Sequence, residues 1–406
     1  MKRLCVIIFC ISYLSASAQW DILNSGTNSN LTSVFFTDEN NGYTVGSDGI
    51  IMKTTNGGDS WTFQNSGTNA KLTSVFFADS QTGYVVGYNG VILKTMDGGN
   101  IWSMQVTDTL DVLTDLYFVS LDTGFVIGYQ YDSIYAGKVL RTIDGGNNWE
   151  SLDWEGKLAS IHFPHKDTGY VVGSTPWWLW ASNMIWTVSC GNYWYHFSYN
   201  LIEDWRFSIF FTNSRTGFSC GRNTIEKMEV GYDWIITDLG DVNLYSIFFP
   251  NEFNGYVVGS DTDSTTAVIF KTTDSGLNWE NQEIDIPQVL LSVYFVNKDT
   301  GYVVGNGGTI LRTKNGSTMG FNDWEIEVRT VNIHPNPASE MIFIELSYTP
   351  IKKTSLTISN TNGQQLVTQP ITEPQTEIDI SYLPAGIYIV KVWNDKDVMV
   401  QKVIKQ

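Results

Sequence analysis

Apolar and polar positions along this chain alternate in short runs, without the spacing of a helix, and the runs recur. Leu31–Phe36 reads L-T-S-V-F-F and Leu72–Phe77 repeats it; a Gly-aromatic pair then opens a second run, a third ends in K-T, and a Trp starts a fourth. The pair occurs seven times, at Gly42, Gly83, Gly124, Gly169, Gly217, Gly255 and Gly301. A Trp follows each one: Trp61, Trp102, Trp149, Trp194, Trp234, Trp279 and Trp324, with an extra Trp20 near the start. Four-stranded units with apolar residues on both faces are what blades need when they pack face to face around an axis. The expected fold class is therefore all-β, a seven-bladed β-propeller followed by a small Ig-like β-sandwich. Residues 20–23 are expected to complete the last blade, with residues 324–328 as the alternative.

Ahead of most of these Trp residues stands a turn, at residues 54–61, 95–102, 142–149 and 272–279. Asn56, Asp97, Asp144 and Asp274 supply acceptors for backbone N–H groups across it, and Gly58, Gly99, Gly146 and Gly276 supply positive φ. Trp61, Trp102, Trp149 and Trp279 bury a large ring that fixes the hairpin. These residues are expected to be scaffold. Repeats four, five and seven depart from the pattern (Ser189-Cys190-Gly191, Glu229-Val230-Gly231, and an insertion between Thr313 and Trp324), so their turns are expected to be looser.

The turn resembles the Asp-box, S-x-D-x-G-x-T-W. With G-Y-V-V-G and K-T-x-D-G-G-x-x-W over seven repeats, residues 20 to about 330 resemble the Ycf48-like branch of the Asp-box (BNR-repeat) propellers. That resemblance implies the fold; for function it implies little, since such propellers include an assembly factor, glycosidases and plain binding scaffolds. From residue 332 the repeat gives way to P-N-P-A-S at 335–339, N-G-Q-Q-L at 362–366, L-P-A-G-I-Y-I-V-K-V at 383–392 and a last strand ending in Lys405-Gln406. These four motifs in order resemble the type A sorting domain of the type IX (Por) secretion system. The resemblance implies export across the outer membrane of a Bacteroidota-type cell, removal of this domain, and release or attachment at the surface.

The start of the chain agrees with export. Lys2 and Arg3, an apolar run over residues 4–14 and Ala16-Ser17-Ala18 read as a signal peptide of residues 1–18, too short to span a bilayer. The expected division is thus 1–18, propeller 19–331 and sorting domain 332–406, with no integral membrane segment after cleavage. Cys190 and Cys220 remain, one in a turn and one in a strand, and are expected to stay unbridged. The formal charge is -18, and the propeller region alone holds 16 basic and 35 acidic residues, which repel phosphate backbones and exclude nucleic acid as a partner.

The repeats differ in one place. From the Gly-aromatic pair to the third-strand Thr, repeats one and two need 12 residues, repeats three and four need 18, and repeat six needs 17. These insertions lie between strands two and three, on the rim shared with the connections between blades and opposite the Asp-boxes. Loops on a rigid scaffold are where binding is built. The insertion of repeat four carries Trp177, Trp178 and Trp180, with Tyr199 downstream. In repeat five, Arg206 replaces the Leu that starts strand one elsewhere, preceded by Trp205, and Arg222 follows strand two. Aromatics beside Arg suit protein interfaces and sugar stacking, so these seven residues form the expected rim site for a glycan or protein ligand.

Catalytic chemistry finds less support. Arg141 and Arg312 occupy the slot of Lys53, Lys94 and Lys271 and are expected to be scaffold, which leaves no sialidase-type arginine cluster. Asp153, Glu155, Glu203, Asp204, Asp238 and Asp241 lie in rim connections, but nothing selects a hydrolytic pair. His162 and His165 form a lone H-x-x-H, with His162 in the slot of Phe35 and Tyr117, which predicts a packed ring over a zinc ligand. Asp261 and Asp263 lack the fuller ligand set of a calcium loop. The expectation is an exported binding scaffold without metal, cofactor or catalytic residue, the alternative being a secreted glycoside hydrolase of the sialidase-like class.

Overall fold

The computed structural model describes residues 20–105, 112–130, 136–174, 183–196, 205–229, 235–316, 331–346, 354–360, 362–393 and 398–406. The chain divides into two compact units, Met1–Phe321 and Asn322–Gln406. Described residues of the first form antiparallel β-sheets joined by turns, with single 3-10 turns at Ser47–Gly49, Tyr88–Gly90 and Asn306–Gly308. It is an all-β unit of propeller type.

Repeat one builds a sheet in the order Leu31–Phe36, Gly42–Gly46, Ile51–Thr54, Thr62–Gln64, and repeats two to four follow it. In repeat seven the strands Leu290–Phe295, Gly301–Gly305 and Ile310–Thr313 take Asp21–Leu23 as their fourth, with Asp21 opposite Arg312. The N-terminal candidate therefore completes that sheet, and Trp324 lies outside the described residues. Trp20 stands edge-on to Phe295 at 6.3 Å, as Trp61 does to Phe36 at 6.1 Å, and so fills the place of the seventh repeat's Trp.

Repeats five and six share one six-stranded sheet through two strands of 14 residues each, Thr216–Glu229 and Ile235–Phe248. Neither runs straight. Ser219 Oγ donates to Glu226 Oε2 at 2.8 Å, whereas seven residues of extended strand span about 23 Å. The chain must reverse between them, and it does so beside Asn223, whose φ is 65°. Gly240, with φ 81°, bends the second strand in the same way.

Packing explains the Gly-aromatic pair. A Cβ at Gly42 would lie 2.4 Å from the Phe36 ring, and one at Gly83 2.5 Å from Phe77, because the Phe ending strand one covers the glycine opening strand two. The same Phe stacks on the aromatic of the preceding repeat: Phe77 on Tyr43 at 4.1 Å, Phe118 on Tyr84 at 3.9 Å, and Phe36 on Tyr302 at 3.8 Å. Each blade face is thus sealed by one repeated ring pair, and the last pair joins repeat seven to repeat one.

Two further belts run around the inner strands. Ser33 Oγ accepts from Val75 N and Ser74 Oγ donates to Asp115; Asp115, Ser160, Ser208, Ser246 and Ser292 then accept in turn from Ile161, Ile209, Ile247, Val293 and Val34, at 2.8 to 3.3 Å. Beside them Phe35, Phe76, Tyr117, His162, Phe210, Phe248 and Tyr294 touch in sequence, and Tyr294 returns to Phe35 at 4.9 Å. His162 is a packed ring, as its register predicts.

In the second unit, Val331–His334, Met341–Leu346 and Gln375–Asp379 form one sheet, and Gln365–Pro370, Ser355–Asn360, Gly386–Trp393 and Val398–Lys405 form another. Ile342, Ile344 and Ile378 from the first share a core with Leu356, Ile358, Val390 and Val392 from the second. The P-N-P-A-S motif clips the last strand: Asn336 Nδ2 donates to Lys402 O at 2.8 Å, Ile404 N donates to Asn336 Oδ1 at 3.0 Å, and Ala338 N donates to Ile404 O at 2.8 Å.

Burial of the His162 ring, whose covered Nδ1 has no hydrogen-bond partner, lowers its pKa from 6.5 to about 4. The unfolded chain therefore takes up this proton first as the pH drops. The contribution to stability is complete above about pH 6.5 and declines towards pH 4, by about 3 kcal/mol in all. His162→Phe, which installs the residue of repeat one, should flatten that part of the curve in urea unfolding between pH 7 and pH 4.5. An unchanged slope would count against the assignment.

Candidate functional site

The register settles which loops share an edge. Leu31, at the start of strand one, lies opposite Gly46, at the end of strand two, while Phe36 and Gly42 pair at the far end beside Thr54. Strand-one starts and the turns between strands two and three therefore occupy one rim, and the Asp-box turns occupy the other.

On the first rim, Trp177, Trp178, Trp180 and Tyr199 lie outside the described residues. Trp205 and Arg222 are brought together: Arg222 N donates to Trp205 O at 3.3 Å, Trp205 is 52% exposed, and the Arg222 side chain is exposed. Two further aromatics join them, Phe207 with its ring 6.3 Å from Trp205 and Tyr245 at 5.3 Å from Phe207. Both hold the second position of strand one. In repeats one to three that position is Thr32, Thr73 and Thr114, whose hydroxyls strap neighbouring repeats by donating to Leu72, Leu113 and Leu158 carbonyls at 2.6 to 2.8 Å. Repeats four to seven replace Thr by Ala159, Phe207, Tyr245 and Leu291, so one side of the rim presents apolar surface where the other is bonded shut. The Thr-to-aromatic change was visible in the sequence, although its significance required the register.

Arg206 does not belong to this surface. It is only 5% exposed, and its Nε and Nη2 each donate to the Glu226 carboxylate at 2.5 Å. Ser219 adds a third donor to that carboxylate. The guanidinium points into the sheet because Glu226 waits there, at the place of Met52 in repeat one, and the Arg206 Nη1 is left buried without a partner. Lys227, next to it, lies 6.0 Å over Phe218 just as Lys53 lies 5.7 Å over Tyr43. Lys227 is thus the repeat's third-strand Lys, hidden in the sequence by the tighter turn.

The Asp-boxes are latches between repeats. Tyr43 Oη and Lys53 Nζ both donate to Gly98 O in the next turn, at 2.7 and 2.6 Å, and Tyr302 and Arg312 do the same to Gly57 O at 2.8 and 2.9 Å. Arg141 Nη1 donates to Asn192 Oδ1 at 2.7 Å. The turn of repeat four keeps its bonds with Ser189 in place of Asp, Tyr193 N donating to Ser189 Oγ at 3.0 Å and Gly191 N to Thr187 Oγ1 at 3.1 Å. That of repeat seven keeps Thr313 to Asn315 at 2.8 Å. The expected loosening is therefore absent at the turn of repeat four; residues 230–234 of repeat five and the insertion of repeat seven from residue 317 onward lie outside the described residues.

Three of the acidic candidates are occupied. Lys138 pairs with Asp153 at 2.8 Å, Asp238 accepts from Gly240 N at 2.9 Å, and both Asp261 oxygens serve Thr265 and Thr266 within its own loop. Glu203 and Asp204 lie outside the described residues. Near the axis, burial pushes the Asp115 carboxyl above its ordinary range despite donors from Ser74, Leu116 and Ile161. Cys190 and Cys220 are both free thiols, and burial raises both.

Repeated sheets latched through Asp-box turns define a β-propeller of the Asp-box class. Residues 13–109, 61–160 and 226–325, together more than half of the chain, match the family described as photosynthesis system II assembly factor YCF48, and the chain belongs to that family. Residues 332–406 match the secretion system C-terminal sorting domain. Among solved structures, YCF48 bound to D1 peptide is similar over 72% of this chain and 96% of its own, at 19% identity and TM-score 0.60. PorZ, a surface component of the type IX secretion system of Porphyromonas gingivalis, is similar over 95% of this chain and 59% of its own, at 12% identity and TM-score 0.51. A GH74 xyloglucanase from Xanthomonas campestris covers 81% of this chain and 59% of its own, at 11% identity and TM-score 0.59. At such identities the likeness is one of fold. None of the curated proteins matches the sequence.

Breaking the buried pair from one side strands a charge, which costs about 3–5 kcal/mol, whereas an apolar replacement of both partners is near neutral. Arg206→Leu and Glu226→Met should each destabilise by about that amount in urea unfolding. The double variant, which restores the residues of repeat one, should recover most of the loss. A double variant as unstable as the sum of the singles would contradict the pairing.

Proposed function

We propose that the chain is a seven-bladed propeller with an Ig-like C-terminal sandwich, exported through the type IX route and serving at the cell surface or outside it as a non-catalytic binding scaffold. The return of the Ser/Asp belt from Ser292 to Val34 supports the blade count. The sorting-domain match over residues 332–406 supports export. The binding surface we propose is the rim of blades four and five, with Trp205 as its anchor, Arg222 and Phe207 beside it, and Tyr245 of blade six adjoining Phe207. One observation carries this reading: Trp205 keeps half its surface open beside Phe207 and Arg222, on a scaffold of sheets packed through repeated ring pairs. A peptide or glycan fits such a surface through stacking and apolar contact, and the peptide carried by the YCF48 structure makes a polypeptide the first ligand to offer.

Two measurements test the proposal. Deleting residues 332–406 should leave the propeller in the periplasm, and surface display of the truncated chain would remove the export assignment. Peptide and glycan arrays probed with the exported propeller should give ligands whose binding falls roughly tenfold or more in Trp205→Ala. Unchanged binding in that variant would move the site elsewhere. Turnover of a polysaccharide that is lost on changing one rim carboxylate would replace the scaffold with a hydrolase.

A further inference from the structure

The opposite rim carries a second feature. In repeat one, the turn residue after the third-strand Thr is Thr55 and the residue before the Trp is Ser60; in repeat six they are Thr273 and Asn278. The Asp-box turn therefore has no need of apolar residues at these positions. Repeats two, three and four nevertheless place Met96, Ile143 and Val188 at the first position, and repeats two and four place Ile101 and Tyr193 at the second. All five are exposed, Met96 at 73%, Ile101 at 68% and Tyr193 at 70%. Leu121, whose carbonyl lies beside Gly145 as those of Glu39 and Ser80 lie beside Gly57 and Gly98, is a sixth exposed apolar residue where repeats one and two are polar.

The three turns follow one another around the edge. Lys94 of repeat two donates to Gly145 O in the turn of repeat three at 2.6 Å, and Arg141 of repeat three donates to Asn192 in the turn of repeat four at 2.7 Å. A groove of 320 Å³ runs between the first two turns, lined by Met96, Ile101, Gln105 and Asn147 among others. Repeat six adds Phe253 and Leu277 to the exposed apolar residues of this edge, but the densest run, six residues over three adjoining turns with a groove between two of them, lies on the arc of repeats two to four, and such a patch marks an interaction surface.

Charge identifies the partner. Asp97 and Asp144 are held below the ordinary carboxylate range by the N–H donors of their own turns, Ile101 N foremost for Asp97 and the Asn148 amide for Asp144. Asp122 and Asp167 stand where repeats one and two have the neutral Asn40 and Gln81. Against these four carboxylates, Lys53, Lys94 and Arg141 are engaged in the latches, and the arc also carries Lys166 and His165, whose Nδ1 lies 3.8 Å from Asp167. We propose that the Asp-box edge of repeats two to four is a docking surface for a basic amphipathic polypeptide, whose apolar side chains cover Met96, Ile101, Ile143 and Tyr193 while its Lys or Arg residues meet Asp122 and Asp167. This surface is independent of the rim proposed above, from which the Asp-box turns are separated by the length of the strands.

The test uses the full chain and a fluorescent peptide of alternating lysine and leucine. That peptide should bind, its glutamate–leucine and lysine–serine counterparts should not, and affinity should fall with salt. Replacing Met96, Ile101, Ile143 and Tyr193 together by Ser should weaken binding roughly tenfold or more, with an unchanged melting curve. Asp122→Lys with Asp167→Lys, which alters no bonded side chain of the latches, should weaken it as well. Equal binding of the glutamate–leucine peptide, or retention of binding in either variant, overturns the proposal. So does concentration-dependent dimerisation, or binding to phosphatidylcholine vesicles, that is abolished by the four Ser substitutions, since the edge would then serve a second copy or a lipid surface.

Discussion

Contact from one repeat to the next is the constraint on which this structure rests. Repeats of one design pack in series only if the contact from each to the next recurs, and here it also recurs between repeat seven and repeat one. The chain meets this with contacts that depend on residue type at fixed positions: a Ser or Asp hydroxyl or carboxylate bonded to the following strand, a Phe stacked on the preceding Tyr or Phe, and a Tyr with a Lys or Arg gripping the next turn. Since Ser292, Tyr302 and Arg312 make these contacts to repeat one, the seam between the chain's two ends has the chemistry of its other junctions.

Such redundancy leaves room for exceptions. Asp115 stands in the Ser belt and His162 in the aromatic belt, both in repeats three and four, and both tolerate burial of an ionisable group because the neighbours of each are supplied by the ring. Repeat five departs further, with Arg206, Ser219 and Glu226 replacing an apolar trio by a bonded polar one. A polar core in one repeat of seven distinguishes it from its neighbours, which a set of near-identical apolar cores cannot do.

The scaffold was legible from residues because its signals are periodic. The Gly-aromatic pair, the Asp-box and the third-strand Lys each mark a backbone or packing need that recurs, so each repeat checks the others. What the period could not show was the partner of an exception. Arg206 reads as a rim residue until Glu226 is found across the sheet, and Glu226 escapes notice because the tight turn at Asn223 removes the spacing by which Lys227 would have been recognised. Trp20 and Trp324 both compete for the last repeat until strand pairing shows that the segment after Trp20 serves it. The rim aromatics Phe207 and Tyr245 were equally present in the sequence, but which end of strand one they occupy follows only from register.

The pairing of Asp21–Leu23 with Ile310–Thr313 also sets an order in time. A ribosome makes the first of these strands long before the second, and until residue 313 emerges the opening segment has no sheet to join. Repeats folded without Ile310–Thr313 would carry an unpaired strand edge, the condition in which strands recruit strangers. Docking of Asp21–Leu23 therefore has to wait for Ile310–Thr313, and a chain cut short anywhere before that partner keeps its beginning free as a mark of incompleteness.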